Sequence, residues 1–333
     1  MANSLITSEV PFDQDGKHTG FLRVPHSVIT SAYGWLPIPI CMIQNGSGPT
    51  LLISAGNHGD EYEGQIAVTK LIQTLETKDI QGRLILLPMA NAPAAEAGTR
   101  TSPIDDGNLN RSFPGAPTGT PTQMIAHYIE EVLLPPCDYA VDLHSGGTSL
   151  QYPATLLRGP AHSPEEEVGL TLLSNAFDLP YAWAFTGGGG KTSTARTAMG
   201  AANRKGVINV MAELGGGGTI APDILADTER GLRRILHALG MLSAYAPDAP
   251  RGTRTLNAQG SVFAYDSGLL ELHKNIGDPV NAGDTVALIH DPATPWRAPI
   301  PVTSPYEGIV LAKRHLTQVQ RGDAIVQIAK DAR

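Results

Sequence analysis

Residues 56–64 read GNHGDEYEG, a histidine and three carboxylates in one short stretch with glycine at both ends. His58 and Glu61 stand three positions apart, a spacing at which an imidazole nitrogen and a carboxylate oxygen can meet one metal ion. Zinc takes both donor types, and a catalytic zinc site keeps a position open for water. A plainer reading of the same residues is an acid-rich first helical turn that complements the helix dipole. The choice depends on partners elsewhere. DLHSGG (142–147) offers a third ligand in His144, and strand alternation puts Asp142 on the same face, placed to orient it. A lone strand-end histidine is more often structural; joined to His58 and Glu61 it completes the two-His, one-Glu set of hydrolytic zinc sites. MAELGGGG (211–218) ends another apolar run with Glu213. This is either a solvated strand end or a general base that takes a proton from water and returns it to a leaving amine.

Between these motifs lies GTRTSPIDDGNLNRSFPG (98–115), rich in polar groups and turn formers. Arg100, Asn110 and Arg111 offer donors suited to a carboxylate or a developing oxyanion. The alternative is a surface loop with incidental arginines. An acid-rich site in an acidic chain nevertheless needs local positive charge to hold an anionic substrate. Asp105 and Asp106 would leave negative charge beside that clamp, favouring a substrate that also carries an amine.

These residues need strand ends to hold them. PTLLISAG (49–56), RLILLPMAN (83–91), CDYAVDLH (137–144) and VINVMAEL (207–214) read as buried strands. EYEGQIAVTKLIQTLETK (61–78), TQMIAHYIEEVLL (122–134) and ILADTERGLRRILHALGML (224–242) read as helices, the second stopped by Pro135-Pro136. LRVPHS and LPIPICMIQ suggest an N-terminal strand pair. The alternation predicts an α/β domain with a largely parallel, doubly wound sheet, and such sheets carry their sites at the strand carboxyl ends.

From about residue 252 helical periodicity disappears. GLLELHKNIGDPVNAGDTVALI (268–289) and GIVLAKRHLTQVQRGDAIVQI (308–328) each begin with glycine and end in a Val-x-x-Gly-Asp turn before a closing strand, a repeat that suggests a small β-barrel or sandwich. This part resembles a biotinyl/lipoyl-carrier domain, but the linker HDPATPWRAPIP has no lysine for cofactor attachment. It is read as a structural module, a lid or an oligomer contact such as a dimer would use. The expected division is 1–250 for the catalytic part and 251–333 for the β module.

The 333 residues carry a formal charge of −8 with no dense Lys/Arg run, which argues against nucleic acid as a partner. No apolar stretch is long enough to span a bilayer, so no membrane association is expected. The polar N-terminus does not read as a signal peptide. Cys41 and Cys137 are the only cysteines, so no disulfide framework is implied and a reducing, cytoplasmic location is expected.

The ordered set GNHGDE, GTRTSPIDDGNLNR, DLHSGG and AELGGGG resembles the succinylglutamate desuccinylase/aspartoacylase family, a branch of the zinc carboxypeptidase clan, over roughly residues 45–245. The resemblance implies a mixed, carboxypeptidase-like sheet and one zinc ion per subunit, held by His58, Glu61 and His144. It further implies Glu213 as base, Arg100 polarising the scissile carbonyl, and Asn110 and Arg111 holding a substrate carboxylate. The texture is nearest to the subgroup that deacetylates N-acetyl-2,4-diaminobutyrate. The implied activity is hydrolysis of the linear amide of a small N-acyl amino acid, with a carboxypeptidase acting on small peptides as the rival. FTGGGGKTSTARTAMGAANRKG (185–206) departs from the subgroup's pattern. Its Gly190-Lys191-Thr192 is no phosphate loop, because Phe185 stands where the first glycine belongs. It is expected to be a loop bordering the pocket. The family's C-terminal tyrosine has two candidates, Tyr265 and Tyr306.

Overall fold

A computed structural model describes residues 4–185 and 194–332. The chain starts with β1 (Thr7–Ser8), β2 (Gly16–Pro25) and β3 (Trp35–Asn45), an antiparallel run in which β2 and β3 form the expected pair. Next come β4 (Thr50–Ala55), α1 (Tyr62–Thr74), β5 (Gly82–Leu87), α2 (Ala92–Ala97), α3 (Pro121–Tyr128) and β6 (Tyr139–His144). The short β7 (Leu150–Gln151), β8 (Thr155–Arg158), α4 (Pro164–Phe177), β9 (Tyr181–Ala184), α5 (Ala198–Arg204), β10 (Ile208–Glu213) and α6 (Pro222–Ala238) complete this part. The remainder is all strand: β11 (Arg254–Phe263), β12 (Gly268–Leu272), β13 (Pro279–Val280), β14 (Thr285–His290), β15 (Ile300–Thr303), β16 (Gly308–Arg314), β17 (Gln318–Val319) and β18 (Ala324–Asp331).

Every residue of β4 is buried, as a strand covered on both faces requires. Alternate side chains feed two cores. Leu51 and Ile53 face Val68 and Leu71 of α1, Leu173 and Phe177 of α4 and Leu232 and Ile235 of α6. Leu52 faces the opposite layer, with Ile125 of α3 and Ala201 of α5. Helices on both faces make the sheet doubly wound. Its central order is β5-β4-β6-β10, all parallel. The flanks differ from a largely parallel sheet. β3 runs antiparallel to β5 and β8 antiparallel to β10, so the sheet is mixed, in keeping with the carboxypeptidase-like expectation. The short link from β3 to β4 (residues 46–49) and the reversal after β6 cause this, since short links without a helical crossover return a strand antiparallel.

Helix ends follow local chemistry. Thr120 and Gln123 form a capping box at α3, and Ser163 Oγ accepts from Glu166 N at the start of α4. The helix expected over 61–78 stops at Thr74, where Leu75 turns extended, and a Glu76/Asp79 box starts a separate 3₁₀ turn. The one expected over 122–134 is α-helical to Tyr128 and winds on as a π-helical turn over Ile129–Leu133.

The sheet does not stop at the change in sequence texture. β11 pairs in parallel with β9, and the order continues β11-β18-β16-β13. A second sheet, β15-β14-β12-β17, packs over this extension around Val286, Ile289, Val310 and Ile325. The two Gly-Asp turns are built alike. Gly283 and Gly322 sit at φ +94° and +95°, while Asp284 and Asp323 accept from the backbone N–H three residues earlier, at Asn281 and Gln320. The linker to β11 is tied down by Asp178, which accepts from Arg251 N (2.9 Å), Gly252 N (3.1 Å) and Arg230. No helix among the described residues is long and apolar enough to cross a membrane.

Candidate active site

Strand register brings the motifs together. β4 and β10 flank β6 in parallel, and Glu213 lies directly beside His144 in the ladder. The turn after β4 carries His58, and Glu61 is the N-cap residue of α1. Each side chain therefore starts from the carboxyl end of a buried strand or the turn that follows it.

His58, Glu61 and His144 are each at most 3% exposed, and their ligand atoms lie within 4.8 Å of one another. His58 Nδ1 lies 3.1 Å from the Arg100 carbonyl, leaving its Nε2 for an ion. His144 Nε2 lies 2.8 Å from Asp142, and its Nδ1 lies 2.9 Å from Glu61 Oε2. Asp142 also accepts from Ser54 Oγ (2.7 Å) and Asn57 Nδ2 (3.3 Å), so the orienting carboxylate is itself held. Imidazoles steered through their outer nitrogens and an adjacent carboxylate make a donor set that fits zinc.

Burial pushes the His58 pKa down to about 4 against the pull of Glu61, so this ring is neutral and ready to donate a lone pair. Burial opposes a charge on His144 too, but Asp142 and Glu61 on either side hold its pKa well above the ordinary value. Glu213 is raised to about 8 by burial and by the charge of Glu61, and its Oε2 is buried without a partner. A carboxyl group kept protonatable near neutrality beside a metal-binding triad is placed to move protons.

A cavity of about 390 Å³ joins these groups to Arg100, Asn110 and Arg111. Arg100 Nη1 is 3.4 Å from Glu61 Oε1, and its side chain is half exposed. Asn110 Oδ1 accepts from Ala198 N (2.9 Å), and Asn110 lines the cavity. Arg111 Nη1 donates to the Asn110 carbonyl at 2.6 Å. Burial and the neighbouring charges of Arg100 and Arg196 lower the Arg111 pKa without discharging it.

Two sequence-based expectations are corrected. Asp105 does not bring negative charge to the clamp. Its oxygens accept from Thr122 N and Thr122 Oγ1, both at 2.8 Å, and neither it nor Asp106 lines the cavity. Tyr265 is exposed and Tyr306 packs against Gly260, so neither reaches the cavity. Tyr152 does, a residue no motif had marked; its hydroxyl donates to Gln327 Oε1 at 3.4 Å. Of the 185–206 stretch, Phe185, Thr194, Thr197 and Met199 border the cavity, and Gly190-Lys191-Thr192 lie outside the described residues. Phe185 joins Trp183, Leu157, Met199 and Met211 in an apolar wall that the sequence reading also missed, because its members come from four separate segments.

The model of the succinylglutamate desuccinylase/aspartoacylase catalytic domain matches residues 47–239. The chain belongs to the succinylglutamate desuccinylase/aspartoacylase family. It is 40% identical over 330 residues, 98% of this chain and 95% of the other, to the N-alpha-acetyl-L-2,4-diaminobutyric acid deacetylase of Halomonas elongata. Among solved structures, the product-bound ectoine utilization protein EutE (DoeB) of Ruegeria pomeroyi superposes with a TM-score of 0.92 at 36% identity, covering 98% of each chain. A succinylglutamate desuccinylase of a Silicibacter species gives 0.93 at 36%, covering all of both chains. The family cleaves amide bonds, and this member is an amide-hydrolysing deacylase with a carboxypeptidase-like fold.

Proposed function

We propose that this deacylase removes the acetyl group from a small N-acetyl amino acid bearing a free carboxylate, with N-acetyl-2,4-diaminobutyrate as its substrate. His58, Glu61 and His144 would hold zinc, which supplies a site that acidifies a bound water and polarises a carbonyl. The chain's own groups do the rest. Arg111 and the Asn110 amide fix the substrate carboxylate, which orients the amide along the cavity. Arg100 presents its guanidinium to the carbonyl oxygen as negative charge develops. Glu213 accepts a proton from the attacking water and passes it to the amine nitrogen as the C–N bond breaks, leaving a free amino acid and acetate.

The observation that carries this reading is the Glu213 carboxyl, its Oε2 buried without a hydrogen-bond partner, in the same cavity as the His-Glu-His cluster and the arginine clamp. The choice of substrate is supported by the likeness to the Halomonas deacetylase over nearly the whole chain. A panel of N-acetyl, N-succinyl and longer N-acyl amino acids, each paired with its carboxamide, tests it. Preferential cleavage of N-acetyl-2,4-diaminobutyrate and poor cleavage of the carboxamides are expected. Equal cleavage of acids and carboxamides would remove the clamp from the account. A C-terminal peptide bond cleaved faster than any N-acyl amino acid would establish the peptidase instead.

A further inference from the structure

GNHGDEYEG contains three carboxylates, and ligation of a metal uses only Glu61. The other two are more than nine-tenths buried: Asp60 is 6% exposed and Glu63 is 1%. Each reaches the loop beyond a different strand of the site. Asp60 Oδ2 accepts from Thr148 N at 2.7 Å, in the loop after His144. Glu63 Oε1 accepts from Gly216 N at 3.0 Å, in the loop after Glu213. Both loops approach their carboxylate so closely that a side chain would not fit. A Cβ on Gly147 would lie 2.6 Å from Asp60 Oδ2, and one on Gly215 would lie 2.6 Å from Glu63 Oε1. The loops are also bonded to each other, through Gly146 N to the Gly215 carbonyl and Gly218 N to the Gly147 carbonyl.

We propose that Asp60 and Glu63 are positioning residues: through Thr148 and Gly216 they hold the loops that follow His144 and Glu213 in the geometry the reaction needs. This rests on the deacylase reading above. The physical reason lies in the glycines. Gly215, Gly216, Gly217 and Gly218 all have positive φ, and such a run has no side chains to fix its own course. The buried N–H of Gly216 must find an acceptor or carry the uncompensated cost of its desolvation. A carboxylate fixed on the first turn of α1 supplies it and ties Glu213 to the same helix that begins beside Glu61. One short segment thereby gives two ligands and sets the loops behind the third ligand and the base.

The test compares Glu63→Gln, which keeps an acceptor oxygen, with Glu63→Met, which keeps the bulk and loses the acceptor. Asp60→Asn and Asp60→Leu form the second pair. Metal content, KM, kcat and amide hydrogen exchange of the peptide spanning Gly215–Gly218 are measured for each. Glu63→Gln should stay within about threefold of the wild-type kcat. Glu63→Met should keep its metal and KM and lose about 10²-fold in kcat, the cost of an ångström-scale misplacement. Exchange should quicken in Glu63→Met and not in Glu63→Gln. The proposal is overturned if Glu63→Met turns over normally, if Glu63→Gln loses as much as Glu63→Met, or if exchange is unaltered in Glu63→Met. Should Glu63→Met fail to fold, a large kcat loss in Glu63→Gln or Asp60→Asn still overturns it, and normal kcat in both with normal exchange supports it. The exchange measurement needs no substrate, so it decides the positioning claim even if the wild type cleaves none of the N-acyl amino acids.

Discussion

Glu61 and Glu213 lie in one cavity and are both carboxylates, yet their surroundings assign them opposite tasks. His58, His144 and Arg100 stabilise charge on Glu61 and hold its pKa below the ordinary value, although burial opposes this. Glu213 has no such partner at Oε2 and is pushed up. Ligands need the first condition and proton carriers the second. Glu213→Gln should therefore fold and keep its metal while losing at least ~10²-fold in kcat, read by steady-state kinetics on metal-loaded protein. Near-normal turnover would remove the base. The arginines divide the work in the same way. Arg111 is expected to act on the ground state, so Arg111→Ala should raise KM by about 10- to 100-fold, as the loss of a charge-assisted hydrogen bond implies. Arg100 is expected to act as charge develops, so Arg100→Ala should lower kcat by about 10²-fold with a smaller change in KM.

At the scale of elements, the parts that place the ligands were readable because they are buried strands ending in glycine turns. β4, β6 and β10 lie where the apolar runs put them, with His144 and Glu213 as their last residues. What escaped was set by contacts distant in sequence. Nothing local in 150–184 announces that β8 reverses direction to pair with β10, or that Trp183 joins the cavity wall. Asp105 looked like pocket charge because its partner Thr122 is seventeen positions away. Asp178 escaped likewise. It closes α4 in the left-handed region at φ 52° and binds the linker that leads to β11. Burial raises its pKa, but hydrogen bonds from Arg251 N, Arg230 and Gly252 N more than offset this and hold it below the usual value. A depressed carboxyl stabilises the fold above its unfolded pKa, near ~3.9, and loses that contribution as pH falls through the lower folded value. Asp178→Asn should thus melt several degrees below wild type at neutral pH, and the gap should close as pH drops below about 4. Thermal melts across that range check it; a gap that persists at the acid end would contradict the assignment.

Across the whole molecule, the site is enclosed by parts far apart in the chain. β7, in the loop after His144, pairs with β16, and Tyr152 reaches Gln327 in β18, so the C-terminal strands brace the loop that follows the third ligand. The ligands themselves come from the turn after β4, the start of α1 and the end of β6. A metal binding only the folded chain should stabilise all of it, by about 2.7 kcal/mol at a hundred times its Kd. Chelation should lower Tm in the wild type and leave a His144→Ala variant unmoved. The most direct test of the account is the metal content of purified wild type, His58→Ala and His144→Ala by elemental mass spectrometry, with amide hydrolysis assayed on the same samples. The account predicts one zinc ion per wild-type chain, loss of both metal and activity in each variant, and loss of wild-type activity on chelation that zinc restores. Full metal content and activity in both variants would contradict it.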